Sequence, residues 1–288
     1  MKLKDFLFPP IFAIGLAIFP GQAPGETLNT CSRYQSVTVG PYIVQTDYWN
    51  QGQCPGTQCV RIDAQTASFT VTKSTAICPN VSSYPSIVYG KAWGLVSPQK
   101  DLPAQISSLK CVNSSWSFQP TYDGSWDAAY DLWVCPDNQC GPSGFNGGAE
   151  LMVWIDYLDC FPTPDKTSTV RLEGKEWDLF QTNNASAGQH WNYIAYSAKT
   201  HFDSVSNLDL NDFLKDSAAR GYIKPSWYLY AVEAGNEMRD RGVPFTSKTF
   251  SVSINKECGA PPLFHPAPIP TPVPTATPDT TPIPPPPE

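Results

Sequence analysis

The sequence predicts an all-β fold in which two antiparallel sheets pack together, with one α-helix. Short runs rich in Val, Ile, Thr, Tyr and Trp alternate in polarity with a period of two, and Gly, Pro, Asn and Asp separate them. About ten or more such runs imply two packed sheets rather than one. A single stretch, near residues 209–220, changes to the helical period.

The predicted strands follow one another along the whole central part of the chain. In order they are SVTVGPYIVQTDYW, CVRIDA, SFTVTK, AAYDLWV, ELMVWIDYL, STVRLEG, EWDLFQ, WNYIAYSA, SWYLYAVEA and TFSVSIN. The helix is predicted in LDLNDFLKDSAARGY, because Leu210, Phe213, Leu214 and Ala218 share one face and Gly221 stands at its C-terminal end.

Both ends of the chain differ in composition from this centre. Residues 1–24 have a short basic start, an apolar run and small residues near Ala23, which predicts a secretory signal peptide and a secreted protein. Residues 261–288 contain thirteen Pro among 28 residues, so residues 259–288 are expected to form an extended Pro/Thr-rich linker or tail. The folded domain is therefore predicted to span residues 27–258.

The nine cysteines fit an oxidising compartment, where disulfides persist. Cys135 and Cys140 are predicted to form a disulfide across a short loop. A metal site is the competing interpretation, and it is disfavoured because no His lies nearby and no second Cys pair has ligand spacing. Since nine is odd, one thiol is left free or pairs with another chain.

Composition restricts the classes of partner. The formal net charge is −7 and charged residues make up 16% of the chain, whereas aromatic residues reach 12%. The composition disfavours nucleic acid as a ligand, because phosphate binding requires clustered Lys and Arg. No segment after the signal peptide has 18 consecutive apolar residues, so no membrane span is predicted. A neutral, sugar-like ligand suits this composition, and neither a metal nor a cofactor is predicted.

The run GGAELMVWIDYLDC places a carboxylate at the head of a strand. Alternation puts Leu151, Val153 and Ile155 on the core face, and the opposite face then carries Glu150, Met152, Trp154 and Asp156. An acid beside an indole is typical of a sugar-binding groove. A solvent-facing strand with an incidental Glu remains an alternative at this point.

Two further strands add acids to the predicted groove. In SWYLYAVEAGNEMRDRG, alternation puts Glu233 and Glu237 on one face together with Trp227, Leu229, Ala231 and Gly235, and it puts Tyr228, Tyr230, Val232 and Ala234 on the other. In AAYDLWV, Asp131 and Trp133 share a face. Carboxylates on three strands of a charge-poor protein predict one acidic, aromatic cleft, and two carboxyl groups across a sugar are what glycosidic cleavage requires.

The segments SYPSIVYG, WDAAYDLWV, ELMVWIDYL, NDFLKDSAARG followed by SWYL, and VEAGNE with FSVSIN, in this order and spacing, resemble glycoside hydrolase family 12. That family contains secreted endo-β-1,4-glucanases and xyloglucan-specific endoglucanases. The resemblance implies a concanavalin-like β-jelly-roll sandwich with an open cleft on its concave sheet. It also implies retaining hydrolysis of a β-1,4-glucan or xyloglucan. A monomer is expected.

The resemblance assigns roles residue by residue. Glu150 matches the nucleophile, Glu237 the general acid/base, and Asp131 the acid that contacts the nucleophile. Trp49, Met152 and Trp154 match substrate-binding groove residues, and Cys31 and Cys59 match a disulfide.

The sequence also departs from the family. Glu233 stands where the family commonly has Gln, so it adds an acid that shares a proton with Glu237 or binds a sugar hydroxyl. MRDRG follows Glu237 in place of the usual Pro and aromatic residue. Trp93 is a second candidate for stacking, or else a structural Trp. A non-catalytic glycan-binding sandwich that has kept the groove is the alternative function, but the presence of both Glu150 and Glu237 favours an enzyme.

Overall fold

The computed structural model describes residues 27–138, 140, 144–163, 165–186, 189–256 and 258–267. The predicted signal peptide, residues 1–24, and the tail from residue 268 onward lie outside these described residues. Within the described residues, no helix is both long and apolar enough to cross a bilayer.

Strands dominate the described chain. They are β1 (Thr27–Thr30), β2 (Ser36–Val39), β3 (Tyr42–Gln45), β4 (Gln58–Asp63), β5 (Phe69–Ser74), β6 (Ser86–Ala92), β7 (Leu95–Val96), β8 (Ala104–Gln105), β9 (Val112–Gln119), β10 (Ser125–Cys135), β11 (Ala149–Leu158), β12 (Lys166–Leu172), β13 (Lys175–Ser186), β14 (Gln189–Ala198), β15 (Phe202–Asp209), β16 (Tyr228–Asp240), β17 (Phe245–Ile254) and β18 (Leu263–Pro266). A 3₁₀ turn spans Ile106–Ser108, and the helix α1 spans Leu210–Ala219.

The strands form two sheets. One has seven strands in the order β1-β4-β5-β17-β9-β15-β18, and the other has eleven, with β12-β13-β14-β11-β10-β16-β6-β3-β2 in order, β7 beside β6 and β8 beside β16. All described pairs are antiparallel except β11 and β14, which run parallel. The predicted all-β jelly-roll sandwich with one helix is therefore confirmed, with one parallel pair within the larger sheet.

The core lies between the two sheets, where alternate side chains of each strand point inward. From the eleven-stranded sheet it receives Leu151, Val153 and Ile155, as alternation predicted, and from its neighbour β10 it receives Tyr130, Leu132 and Val134. The seven-stranded sheet contributes Val60, Ile62, Phe69, Val71, Val112, Trp116, Phe118, Val205, Leu208 and Phe245. The other face of the eleven-stranded sheet is consequently free to form a groove.

The helix α1 closes one end of this core. Leu210, Phe213 and Leu214 are fully buried in it, and Ala218 packs against it, as the helical spacing predicted. The carboxylate of Asp209 accepts a hydrogen bond from the backbone N–H of Asn211 (3.0 Å) and so caps the helix.

Three β-bulges interrupt the pairing of the central strands, at Ile155 of β11 and at Tyr230 and Arg239 of β16, and the first two change the predicted alternation. In β16, Trp133 pairs with Ala231 and Val134 with Leu229, so Tyr230 is an extra residue. A bulge of this kind reverses the alternation beyond it. Leu229 and Trp227 therefore pack against the core, not in the groove as predicted, and Tyr230 lies with Trp133 on the groove face.

Because of the bulge in β11, Asp156 does not lie on the groove face as predicted. Ala129 pairs with Trp154 but Ala128 pairs with Asp156, so Ile155 is the extra residue of β11. Tyr157 then takes the groove-side place beside Trp154, with ring centroids 6.1 Å apart. The Asp156 carboxylate instead lies 2.6 Å from the imidazole Nδ1 of His201.

The described chain has four disulfides: Cys31–Cys59, Cys54–Cys78, Cys111–Cys258 and Cys135–Cys140. The first and last confirm the two predicted pairs. The odd cysteine is Cys160, which is buried and free.

Candidate active site

A groove of about 1410 Å³ crosses the eleven-stranded sheet on the face away from the core. This volume exceeds the roughly 300–1,000 Å³ of common small-molecule pockets, which suits a chain of several sugar rings. The acids that line it are Asp47, Asp131, Glu150, Asp159, Glu233 and Glu237, and the aromatic residues are Tyr34, Trp49, Tyr84, Trp93, Trp133, Phe161, Trp191 and Tyr193. The groove thus brings together the three strands whose acids the sequence predicted to converge.

Glu150 lies near the start of β11 and is 8% exposed. Its Oε2 accepts a hydrogen bond of 2.6 Å from the indole Nε1 of Trp191 and a longer one of 3.5 Å from the amide of Asn184. Burial raises the pKa of Glu150 to about 7; the two hydrogen bonds oppose this rise, and the negative charge of Glu237 adds to it. The two donors favour the ionised carboxylate, which is the form a nucleophile requires.

Asp131 lies on β10, opposite Met152 of β11, and is 4% exposed. Burial, followed by the negative charges of Glu150 and Glu233, raises the pKa of Asp131 well above its ordinary value. The site therefore favours the neutral form of Asp131 more than water does. In that form it adds no charge next to Glu150 and can donate a hydrogen bond.

Glu237 lies on β16, directly opposite Asp127 of β10. Its Oε2 accepts a hydrogen bond of 3.1 Å from Nη2 of Arg239, and Nη1 of the same guanidinium lies 2.8 Å from Oδ2 of Asp127. The charge of Glu237 also acts on Glu150. The two predicted catalytic acids therefore lie in the same groove and interact electrostatically.

Glu233 is 2% exposed and lies opposite Asp131 in register. Its Oε2 accepts hydrogen bonds from the Ser86 hydroxyl (2.8 Å) and the Gln45 amide (3.2 Å). Burial raises the pKa of Glu233 to about 8, with a further increase from the charge of Asp47. At neutral pH a protonated carboxyl at this position resembles the neutral amide of a Gln.

Met152 and Trp154 lie on the groove side of β11, as alternation predicted, but they do not reach the groove surface. They are 1% and 0% exposed. Tyr193 covers the Met152 sulfur, with its hydroxyl 3.5 Å away, and the guanidinium of Arg239 lies over the Trp154 ring at 5.3 Å. The expectation that they contact sugar is therefore corrected, because the side chains of Tyr193 and Arg239 lie over them.

Two tryptophans offer exposed rings to the groove. Trp49 and Trp93 are each 40% exposed. Trp93 also makes edge-on contacts with the rings of Trp133, Phe145 and Trp191, at centroid distances of 5.1–5.8 Å. An exposed indole held by its neighbours gives a flat surface on which a sugar ring can stack.

Sequence analysis did not identify several groups that contact the predicted catalytic acids. Asp127 shares the period-two face of Asp131, and Arg239 that of Glu237, so alternation could have indicated both. No comparable signal marks Trp191 or Asn184, because they come from β14 and β13 and meet Glu150 only through the pairing of strands.

One cluster of metal-ligand type occurs among the described residues, formed by Cys135, Asp137 and Cys140. Its two sulfur atoms are joined as a disulfide. They are therefore not available as thiolate ligands in this state.

Comparison with known proteins identifies the family. The profile of Glycosyl hydrolase family 12 matches residues 40–255. Endoglucanase cel12A from Rhodothermus marinus is 36% identical, with a TM-score of 0.74, over 79% of this chain and 98% of that one. Endoglucanase A of Aspergillus kawachii is 27% identical over 83% of this chain and 98% of its own length. A probable xyloglucan-specific endo-β-1,4-glucanase A of Aspergillus terreus is 24% identical over 84% and 94%. With several acids lining one groove and this family's profile over most of its length, the chain belongs to glycosyl hydrolase family 12.

Proposed function

We propose that the protein is a retaining endoglucanase that hydrolyses internal β-1,4-glucosidic bonds of β-glucan or xyloglucan by double displacement. The observation that carries this proposal is that Glu150 and Glu237 line one groove and that the charge of Glu237 acts on Glu150. Retaining glycosidases place two carboxyls on either side of one glycosidic bond, about 5–5.5 Å apart. The names of the related endoglucanases and xyloglucanases support the choice of substrate.

In the first step, Glu237 donates its proton to the glycosidic oxygen while the ionised Glu150 attacks the anomeric carbon. The bond to the leaving sugar breaks, and a glycosyl ester forms on Glu150. In the second step, Glu237 removes a proton from water, which attacks the same carbon and releases Glu150 as a carboxylate. Two inversions at one carbon give net retention of configuration.

The neighbouring groups support these roles. Trp191 and Asn184 donate to the carboxylate oxygen of Glu150 and so stabilise its ionised form. Asp131, raised in pKa by its burial, is proposed to hold the geometry of Glu150 as a neutral acid. Trp49 and Trp93 are proposed to provide the flat indole surfaces on which sugar rings stack in the groove.

We further propose that the protein is exported as a monomer, with residues 1–24 as the signal peptide and residues 27–258 as the catalytic domain. The predicted linker or tail, residues 259–288, is proposed to begin only after β18 (Leu263–Pro266), because this strand pairs with β15 in the seven-stranded sheet. The four disulfides support an extracellular location, because such bonds persist in oxidising compartments. N-terminal sequencing of the exported protein tests the leader. A first residue before position 20 or after position 30 would contradict this boundary.

Reducing-sugar release from mixed-linkage glucan, carboxymethyl cellulose and xyloglucan tests the activity. Glu150→Gln should reduce turnover to background, and Glu237→Gln should lower kcat by about 10²–10⁴-fold. Circular dichroism should show that both variants remain folded. Glu176→Gln is the matched control, because this exposed carboxyl on β13 pairs only with Lys199 at the surface in the described chain. Substantial activity in Glu150→Gln would contradict the assignment.

Proton NMR of the first product tests the stereochemistry. Double displacement releases the β-anomer first, and the α-anomer appears only by later mutarotation. Early appearance of the α-anomer would show inversion and would exclude the covalent intermediate on Glu150. No hydrolysis of any of the three polymers would favour the alternative of a glycan-binding sandwich without turnover.

A further inference from the structure

The carboxylate of Glu237 is bridged to a second, fully buried carboxylate by one guanidinium. Nη2 of Arg239 lies 3.1 Å from Oε2 of Glu237, and Nη1 lies 2.8 Å from Oδ2 of Asp127. Asp127 is 0% exposed and stands opposite Glu237 in the register of β10 and β16. The planar guanidinium thus presents different N–H groups to two acids on adjacent strands, a geometry that the single ammonium of Lys does not reproduce.

Arg239 is itself held from several sides. Its side chain is 14% exposed, and its guanidinium lies over the indole of Trp154 at 5.3 Å. Nη1 also lies 3.5 Å from the sulfur of Cys160. Arg239 is the extra residue of a β-bulge in β16, because Ser125 pairs with Asp240 and Trp126 with Met238. Its contacts come from β10, β11 and the loop that follows β11, so three separate segments hold the guanidinium.

Because Arg239 bonds both acids, its positive charge is shared between Glu237 and Asp127 and is not directed to Glu237 alone. A lone Arg at this distance would favour the carboxylate form of its partner and oppose proton donation. Asp127 provides the second acceptor for the guanidinium. Burial, followed by the negative charge of Glu237, raises the pKa of Asp127 well above its ordinary value, and the Arg239 cation opposes this rise. The arrangement can therefore fix the direction of the Glu237 carboxyl without committing a full positive charge to it.

We propose that Arg239, anchored by Asp127 and Trp154, is a positioning residue that holds the Glu237 carboxyl toward the glycosidic oxygen. The inference rests on the proposed role of Glu237 as the general acid/base. A displacement of about 1 Å in a reacting group can cost on the order of a hundredfold in rate. Loss of Arg239 should therefore weaken the step in which Glu237 protonates the leaving group, and weaken other steps much less.

Aryl cellotriosides with different leaving groups isolate that step. Departure of 2,4-dinitrophenolate needs little protonation, whereas phenolate departs slowly unless an acid protonates it. Since kcat/KM reports the glycosylation step, Arg239→Met should lower kcat/KM for the phenyl glycoside by about 10–100-fold. For the dinitrophenyl glycoside it should fall by less than about threefold. Arg239→Lys, which keeps the charge but not the two-pronged geometry, should restore only part of the loss.

Arg239→Met leaves Asp127 buried without its cation and can therefore destabilise the fold. The double variant Arg239→Met/Asp127→Asn removes both charges together and should show the same dependence on the leaving group. Arg241→Met is the matched control, because Arg241 follows the same strand but its half-exposed side chain pairs with Asp123 and Asp240 at the surface. It should stay within about twofold of the wild-type kcat/KM on both glycosides.

Glu237→Ala separates this inference from the function on which it rests. If Glu237→Ala slows both glycosides equally, Glu237 is not the general acid and the proposed function fails. If Glu237→Ala discriminates between the leaving groups but the Arg239 variants slow both glycosides equally, Arg239 has only a structural role and the inference is overturned. The inference is supported if Glu237→Ala, Arg239→Met and Arg239→Met/Asp127→Asn each slow the phenyl glycoside much more than the dinitrophenyl glycoside.

Discussion

The hydrogen bond from Trp191 to Glu150 gives a direct test of how the groove controls the ionisation of its proposed nucleophile. The indole N–H donates to Oε2 at 2.6 Å, and both side chains are less than a tenth exposed. Burial raises the pKa of Glu150 to about 7, and the Trp191 hydrogen bond limits this rise by stabilising the carboxylate. Trp191→Phe removes the donor and keeps an aromatic ring in the cluster, so it should raise the pKa of Glu150 further.

The size of the shift follows from the strength of the hydrogen bond. A hydrogen bond to a charged group contributes about 1.5–3 kcal/mol, and about 1.36 kcal/mol corresponds to one pKa unit. Trp191→Phe should therefore move the acid limb of kcat/KM, expected near pH 7 in the wild type, upward by about one to two pH units. At pH 6 the ionised fraction of Glu150, and with it kcat/KM, should fall about 10- to 100-fold.

The measurement is a pH profile of kcat/KM on a soluble β-glucan oligosaccharide between pH 4 and 10. Trp93→Phe is the matched control, because the Trp93 ring contacts that of Trp191 at 5.8 Å but donates no hydrogen bond to Glu150. It can change KM through the loss of a stacking surface, yet its acid limb should stay in place. An unmoved acid limb in Trp191→Phe would refute the reasoning that this indole stabilises the catalytic carboxylate.

Three further predictions concern stability and are checked by urea unfolding. Burial raises the pKa of Glu233 from 4.5 to about 8, so the stability that its protonated form contributes is present below pH 4.5 and is lost as the pH rises toward 8. Glu233→Gln should therefore gain up to about 1.4 kcal/mol per pH unit relative to the wild type across that range, and a constant difference would contradict this. Leu132→Ala, at a fully buried position, should cost about 2–5 kcal/mol. Leu263→Ala, 58% exposed, should cost less than about 0.5 kcal/mol. Replacing Cys111 and Cys258 by Ser opens a bridge with a sequence separation of 147 and should cost up to about 5 kcal/mol, and a loss below about 1 kcal/mol would contradict the loop-entropy argument.

Alternation predicted the groove face correctly wherever the strands pair without interruption. Glu150 of β11 and Asp131 of β10 lie in regular stretches, so their inward and outward neighbours follow the period of two. The same holds for Glu233 and Glu237 of β16, which lie between the two bulges of that strand. These positions could be predicted because a buried face permits only one register.

The two bulges that change the alternation could not be predicted from these runs. The extra residues are Ile155 and Tyr230, which have ordinary β-forming side chains and no adjacent Gly or Pro to mark an irregularity. A bulge forms where two residues of one strand lie opposite a single residue of its partner. Its position is therefore set by the pairing of the two strands and not by either sequence alone. The misplacements of Asp156 and Leu229 both follow from this limit.

The roles of the groove acids depend on their hydrogen-bond donors more than on their positions in the strands. In sequence, Glu150, Glu233 and Glu237 are equivalent carboxyls on one face. In the structure, an indole supports the ionised form of Glu150, whereas burial keeps Glu233 protonated up to about pH 8. Glu237 differs again, because its partner Arg239 is shared with a second acid, Asp127. Each of these partners is brought in by strand pairing or by a neighbouring side chain. The proposed nucleophile, the protonated Glu233 and the proposed acid can therefore be told apart only once the register of the eleven-stranded sheet is known.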